Sequence, residues 1–526
     1  MIKKLLIATT LLIYTAAAYS QKGYKFTFNV EGVQDTVIYL AGYYGAKQYY
    51  KDTTKVDKNG NFVFEGEEPF PGGIYSIVMP DQKTYFEFNI TEPKFTMTTK
   101  RNDLVMSMSV KGSEENKVFY DYLQFINGQQ KKAAPLRKKL KNKQEEKEEN
   151  QKSKKLDEEI KKVKEELSAI DTEVKKYKID MIAANGDKLV GKIFSTSQDP
   201  EVPDAPKGED GKPLDKDFSY KYYKAHYLDG VDFCDERLLR SPVFHNKLDY
   251  YIKKLTIQIP DSINKEADML LEKAKCKKEM FKYVTHYITN SYEKSKIMCM
   301  DRVFVHMAQE VYCKDLAWWV DSAQKAKICN RAETLAPLMC GEVAPNIILQ
   351  DTSEEKWINM HEIEAEYTIL FFWDPGCGHC KKAMPKFKAM YDKFKGKGVE
   401  LYSPCTEFET KDWKKFVTEK ELNWINVSDN PEINKNAAKY IHLTTLESLN
   451  YRDTYDIFST PQVYLLDKDK KILAKKLSAE QLDDILSDKL DMPRTIREEK
   501  DEKKDAKDSH GEDSKKKDKP KKVKKS

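Results

Sequence analysis

The run Ile369–Phe387, ILFFWDPGCGHCKKAMPKF, decides how the rest of the 526-residue chain is read. Thr368 to Trp373 is almost wholly apolar and has the length of a buried strand. Asp374-Pro375-Gly376 breaks it, Cys377-Gly378-His379-Cys380 follows, and a Lys-rich, helix-forming segment begins. Two cysteines separated by two residues at the first turn of a helix can close a small disulfide ring. Unpaired N–H groups and the partial positive charge at the helix N-terminus stabilise a thiolate at Cys377. His379, as a cation or a hydrogen-bond donor, is expected to lower that pKa further. The chemistry is thiol–disulfide exchange, with Cys377 as nucleophile and Cys380, one turn further in, as the thiol that resolves the mixed disulfide. A lone CxxC is also half of a zinc site, but no second CxxC exists in the chain, so no metal is expected.

Outward from this run, the start of the chain fits a secretory signal over 1–20. Lys3 and Lys4 are followed by an apolar core from Leu5 to Ala18 and a small-x-small site at Ala18-Tyr19-Ser20. The core is short for a membrane span, and the mature protein is expected outside the cytoplasm. Besides Cys377 and Cys380 there are seven cysteines (234, 276, 299, 313, 329, 340 and 405), so at least one stays free or pairs outside the chain. Spacing does not fix which of them pair. Cys405 is either a third redox thiol or a passive one. The formal net charge is +5, and the tail from Arg494 carries 14 basic against 9 acidic residues, so the remainder balances. No basic cluster is interleaved with aromatics, which argues against nucleic acid.

From Tyr24 to about Val110 the pattern is that of short strands. Tyr24, Phe26, Phe28 and Val30 alternate with polar residues, and Asn59-Gly60 reads as a hairpin turn. Runs at 74–79, 84–90, 95–99 and 104–110 complete a β-sandwich accessory domain over 22–112. A central α-helical region follows over 113–338. Leu156, Ile160, Val163, Leu167, Ile170, Val174, Tyr177 and Met181 form a heptad stripe, predicting a long helical hairpin over about 114–183 or, in competition, an intermolecular coiled coil. Strands and helices alternate from 339 to 492, an α/β pattern. The tail 493–526 is nearly devoid of apolar residues and is expected to be disordered.

The Trp373-Asp374-Pro375-x-Cys377-Gly378-His379-Cys380-Lys381-Lys382 wording, with Pro385 beyond it, resembles the active site of the thioredoxin superfamily. It resembles the exported thioredoxin-like proteins of the Bacteroidota, related to the TlpA and ResA types, which implies a periplasmic location. Asp52–Phe64 resembles the all-β domain that precedes many such modules, and the helical middle resembles the segment between them. Gly341-Glu342-Val343-Ala344-Pro345-Asn346 resembles the lead-in to the redox domain. The resemblance implies a thioredoxin fold over 339–492, with Gly378 and His379 setting the redox poise. It further implies a substrate surface made by Trp373, Thr460 and Pro461, with a cis peptide before Pro461. No cofactor is implied. The expected partners are disulfide-bearing exported proteins and a membrane thiol electron donor.

One departure stands out. The acid that thioredoxins bury six residues before the first cysteine is Phe371 here, and the ResA-type glutamate three after the second is Ala383. Asp374 and Glu407 are the candidate substitutes, Asp374 also being a natural turn cap. A peroxidase of the peroxiredoxin type would need Pro-x-x-x-Thr/Ser-x-x-Cys, which neither cysteine has. The readings that follow are a periplasmic disulfide reductase, a net oxidase or isomerase, and a non-catalytic scaffold with a vestigial redox domain.

Overall fold

The computed structural model describes residues 23–149, 153–295, 297–407 and 410–494; the expected signal peptide and the tail from 495 lie outside the described residues. The chain forms two compact units, one built from residues up to Gln258 with Lys265–Val284, the other from Ile259–Asn264 and from Thr285 onward. The helical region expected over 113–338 is therefore divided between them.

In the first unit, eight strands form two sheets. They are β1 (Tyr24–Glu31), β2 (Val37–Tyr44), β3 (Lys47–Lys55), β4 (Asn61–Gly66), β5 (Gly73–Val78), β6 (Tyr85–Ile90), β7 (Lys94–Lys100) and β8 (Ser109–Lys111). The sheet orders are β4-β1-β7-β8 and β3-β2-β5-β6. Alternation places Phe26 and Phe28 of β1 inward against Phe86 and Phe88 of β6, with the Phe28 and Phe88 rings 5.2 Å apart. The result is a sandwich with an aromatic core.

The Asn59-Gly60 turn forms, with Gly60 at φ +81, but it is not a hairpin within one sheet. β3 pairs with β2 and β4 with β1, so the turn carries the chain from one sheet to the other. Only the end of the expected 104–110 strand is extended, as β8.

Helices Glu114–Glu149 and Lys154–Asn185 follow, the first running through Pro135 without ending. They fold on each other within one chain: Phe125 stacks on Tyr177 at 4.1 Å, and Lys147 pairs with Asp157 at 2.7 Å. Phe119, Tyr120 and Met181, near the hairpin's base, join the sandwich core. A disulfide joins Cys234 to Cys276.

The second unit contains two more disulfides, Cys299–Cys340 and Cys313–Cys329. Its sheet has seven strands: β9 (Ile348–Asp351), β10 (Trp357–Asn359), β11 (Tyr367–Phe372), β12 (Val399–Cys405), β13 (Ile425–Ser428), β14 (Gln462–Asp467) and β15 (Ile472–Lys475). Their order is β10-β9-β13-β12-β11-β14-β15. β11 lies between β12 (parallel) and β14 (antiparallel) and is covered on both faces, which is why its sequence is a continuous apolar run. Ile369 and Phe371 face helix Gly378–Phe394 through Phe387 and Tyr391, whereas Leu370 and Phe372 face Tyr451 and Tyr455. Lys475 is 5% exposed at the end of β15; its ammonium pairs with Asp301 and donates to the Leu338 carbonyl at 2.6 Å.

Candidate active site

The site begins where β11 ends. The Asp374 carboxylate accepts the backbone N–H of Gly376 at 2.5 Å and of Cys377 at 3.2 Å, fixing the turn that delivers Cys377 to the N-cap of the following helix. Asp374 is thus spent on the turn. Antiparallel pairing of Phe372 with Gln462 and Phe371 with Val463 brings the residues just before β14 opposite that turn. The Thr460–Pro461 peptide is cis, and the Cys377 thiol donates to the Thr460 carbonyl at 3.3 Å.

The two thiols differ in kind. Cys377 is partly exposed and Cys380 is buried, and neither is in a disulfide. Partial burial works against charging Cys377, yet its thiol is held below the usual cysteine value. The Thr460 side chain, the backbone N–H and thiol of Cys380, and the backbone N–H of His379 outweigh the burial. Burial pushes Cys380 up to about 11, helped by its hydrogen bond with Cys377 and the latter's charge. His379 acts on Cys377 through its backbone N–H, while its side chain is exposed; the expected effect of the imidazole is not among the leading influences on the thiol.

Trp373, expected at the substrate surface, has no exposed area. Its ring packs 5.2 Å from Phe416 of helix Thr410–Glu419, beneath the turn and not on its surface. Phe371 stacks on Phe387 at 4.4 Å in the place of the expected acid. Cys405 has no exposed area, and burial raises its thiol far above the usual value, which makes it a passive thiol.

Sequence reasoning missed a polar brace behind the turn. Arg452 pairs with the buried Asp429 at 2.8 Å and donates to the Thr406 carbonyl at 2.9 Å, while the Thr406 N–H bonds the Trp373 carbonyl at 2.8 Å. No local motif marks residues brought together over such separations. A groove of about 590 Å³ also opens beside the site, lined by His379, Lys382, Ser459, Pro461, Gln462 and Lys476 among others.

The AhpC/TSA family model matches residues 340–475. Those residues are a thioredoxin-like domain. Models for two domains of unknown function, DUF4369 and DUF5106, match 24–119 and 140–336. Over 150 residues the chain is 28% identical to the thiol-disulfide oxidoreductase ResA of Bacillus thuringiensis subsp. konkukian, covering 28% of this chain and 76% of that one. A second relative, ResA of Bacillus subtilis, is 36% identical over 61 residues, 12% of this chain and 34% of its own. Among solved structures, a thioredoxin-like protein from Bacteroides caccae shares 18% identity over 55% of this chain and 97% of its own, with a TM-score of 0.39. The thioredoxin domain of a Bacteroides vulgatus thiol-disulfide oxidoreductase shares 26% identity over 29% of this chain and 97% of its own, with a TM-score of 0.24. These matches support a thiol–disulfide oxidoreductase whose thioredoxin-like domain is similar to ResA. No helix among the described residues is long and apolar enough to cross a membrane.

Proposed function

We propose that this oxidoreductase reduces disulfides of exported proteins in the periplasm, using Cys377 and Cys380 as its dithiol. The observation that carries the proposal is the asymmetry between a reachable thiol held low and a buried one pushed up to about 11. The Cys377 thiolate attacks one sulfur of the substrate disulfide, forming a Cys377–substrate bond and releasing the other substrate sulfur, which takes a proton. The Cys380 thiol then gives up its proton and attacks the Cys377 sulfur. The second substrate thiol leaves, two electrons have passed to the substrate, and Cys377–Cys380 is oxidised. A membrane-borne dithiol restores it. Thr460 and Pro461 border Cys377 and receive the substrate backbone, while Gly378 and His379 tune the potential.

A reduction assay on insulin tests the proposal. Wild-type activity should vanish in Cys377→Ser, and Cys380→Ser should accumulate a mixed disulfide identifiable by mass spectrometry. An inactive wild-type protein would leave the scaffold reading standing. The stabilised Cys377 thiolate favours the reduced form, which also supports net oxidation or isomerisation. Equilibration with glutathione decides between them, since a reductant settles low and an oxidant high.

A further inference from the structure

Cys377 stands at the start of a helix whose solvent-facing side is dense in lysine. Lys381, Lys382 and Lys386 are all exposed in its first turns, and Lys388 is half-buried one turn on. These lysines face two grooves. The groove beside Pro461 is lined by Lys382, Lys386 and Lys476, with Glu480 its acidic residue. Glu480 is already bound to Lys386 at 2.6 Å, and Lys476 has the Asp456 carboxylate only at longer range, outside ion-pair distance. A second groove of about 550 Å³, on the Phe416 side of the same helix, is lined by Lys381, Lys388 and Lys420 with Glu419. Glu419 in turn lies 3.9 Å from Lys415. Among the described residues no ion pair is formed by Lys381, Lys382 or Lys476. Asp374, the carboxylate nearest in sequence to the thiol, is engaged by backbone N–H groups.

We infer that the site selects disulfides flanked by acidic residues, with Lys382 and Lys476 as specificity determinants that receive an acidic segment of the substrate along the Pro461 groove. The inference rests on the proposed thiol–disulfide exchange at Cys377 and adds the class of substrate. Exposed charges on one rim with an excess of one sign steer encounter and favour the complementary partner, and they do so within about 10 Å at 0.1 M salt. The lysines do not touch the reacting sulfurs. Their effect belongs in kcat/KM, and it is sensitive to salt.

The test uses the full chain and three synthetic peptides, each closed by the same internal disulfide and flanked by Glu-Glu, Gln-Gln or Lys-Lys. At low ionic strength the acidic peptide should exceed the basic one in kcat/KM by roughly five- to tenfold, the scale of two exposed ion pairs. At 0.5 M salt the difference should shrink to about twofold or less. The double variant K382E/K476E should reverse the order, whereas K468E, in the turn between β14 and β15, should leave it unchanged. Equal turnover of the three peptides, or an order that survives both salt and the double variant, overturns the inference while leaving the exchange reaction intact. Failure of the wild-type protein to reduce any of the three would instead overturn the exchange reaction itself, and the preference with it.

Discussion

Selective alkylation of the reduced protein reads the asymmetry of the two thiols directly. Cys377 lies below the ordinary cysteine value of 9.0 and Cys380 near 11, a gap of more than about 2. At pH 7 this makes the thiolate fraction at Cys377 at least ~100 times that at Cys380. The more basic thiolate is intrinsically the better nucleophile, and over this gap that recovers about tenfold for Cys380. A net preference of at least ~10-fold for Cys377 remains, and the burial of Cys380 at 1% exposure widens it. The assay is iodoacetamide labelling with mass spectrometry of the peptides containing each cysteine, repeated from pH 6 to 11. The rate at Cys377 should level off at lower pH than the rate at Cys380, which continues to gain towards pH 11. Comparable rates at pH 7, or a Cys377 rate that levels off at the same pH as Cys380 or higher, would refute the reasoning. Cys405 should stay unlabelled until denaturant is added.

Three further outcomes are expected. Trp373→Ala should cost about 3–5 kcal/mol in denaturant unfolding, the range for emptying a buried aromatic site; Trp373→Phe should cost far less, because the indole N–H it removes has no hydrogen-bond partner. Lys475→Ala should cost about 3 kcal/mol by leaving Asp301 without its buried cation, and Lys475→Met should cost less if combined with Asp301→Ala, as a double-mutant cycle would show. Removing the Cys299–Cys340 bridge, which closes a loop of sequence separation 41, should cost about 4 kcal/mol by loop entropy, read as a fall in Tm of Cys299→Ala/Cys340→Ala.

The centre of the redox domain was legible because chemistry and periodicity coincide there. A continuous apolar run, a turn and two cysteines at helical spacing leave β11 and its helix little choice. Strands β9 and β10 were not legible, being only four and three residues long, mostly half-buried, and with no alternation to read. Asn59-Gly60 specified a turn but not its partners, because which strands pair is settled by the aromatic core between the sheets. Trp373 was placed at the surface since its depth depends on Phe416, 43 residues further along the chain. The three cystines were closed to sequence reasoning for the same reason: each joins positions that meet only after helices pack.

The silent thiol at Cys405 bears on how such a chain matures. With six of the nine cysteines tied to one another and two proposed for exchange, this ninth sulfur is the odd one in any oxidising compartment. Once β12 is laid into the sheet, no oxidant and no neighbouring chain reaches it. The hazard it carries is confined to the interval before that strand is covered, when it competes for every other sulfur in the nascent chain, and closure of the sheet ends the competition.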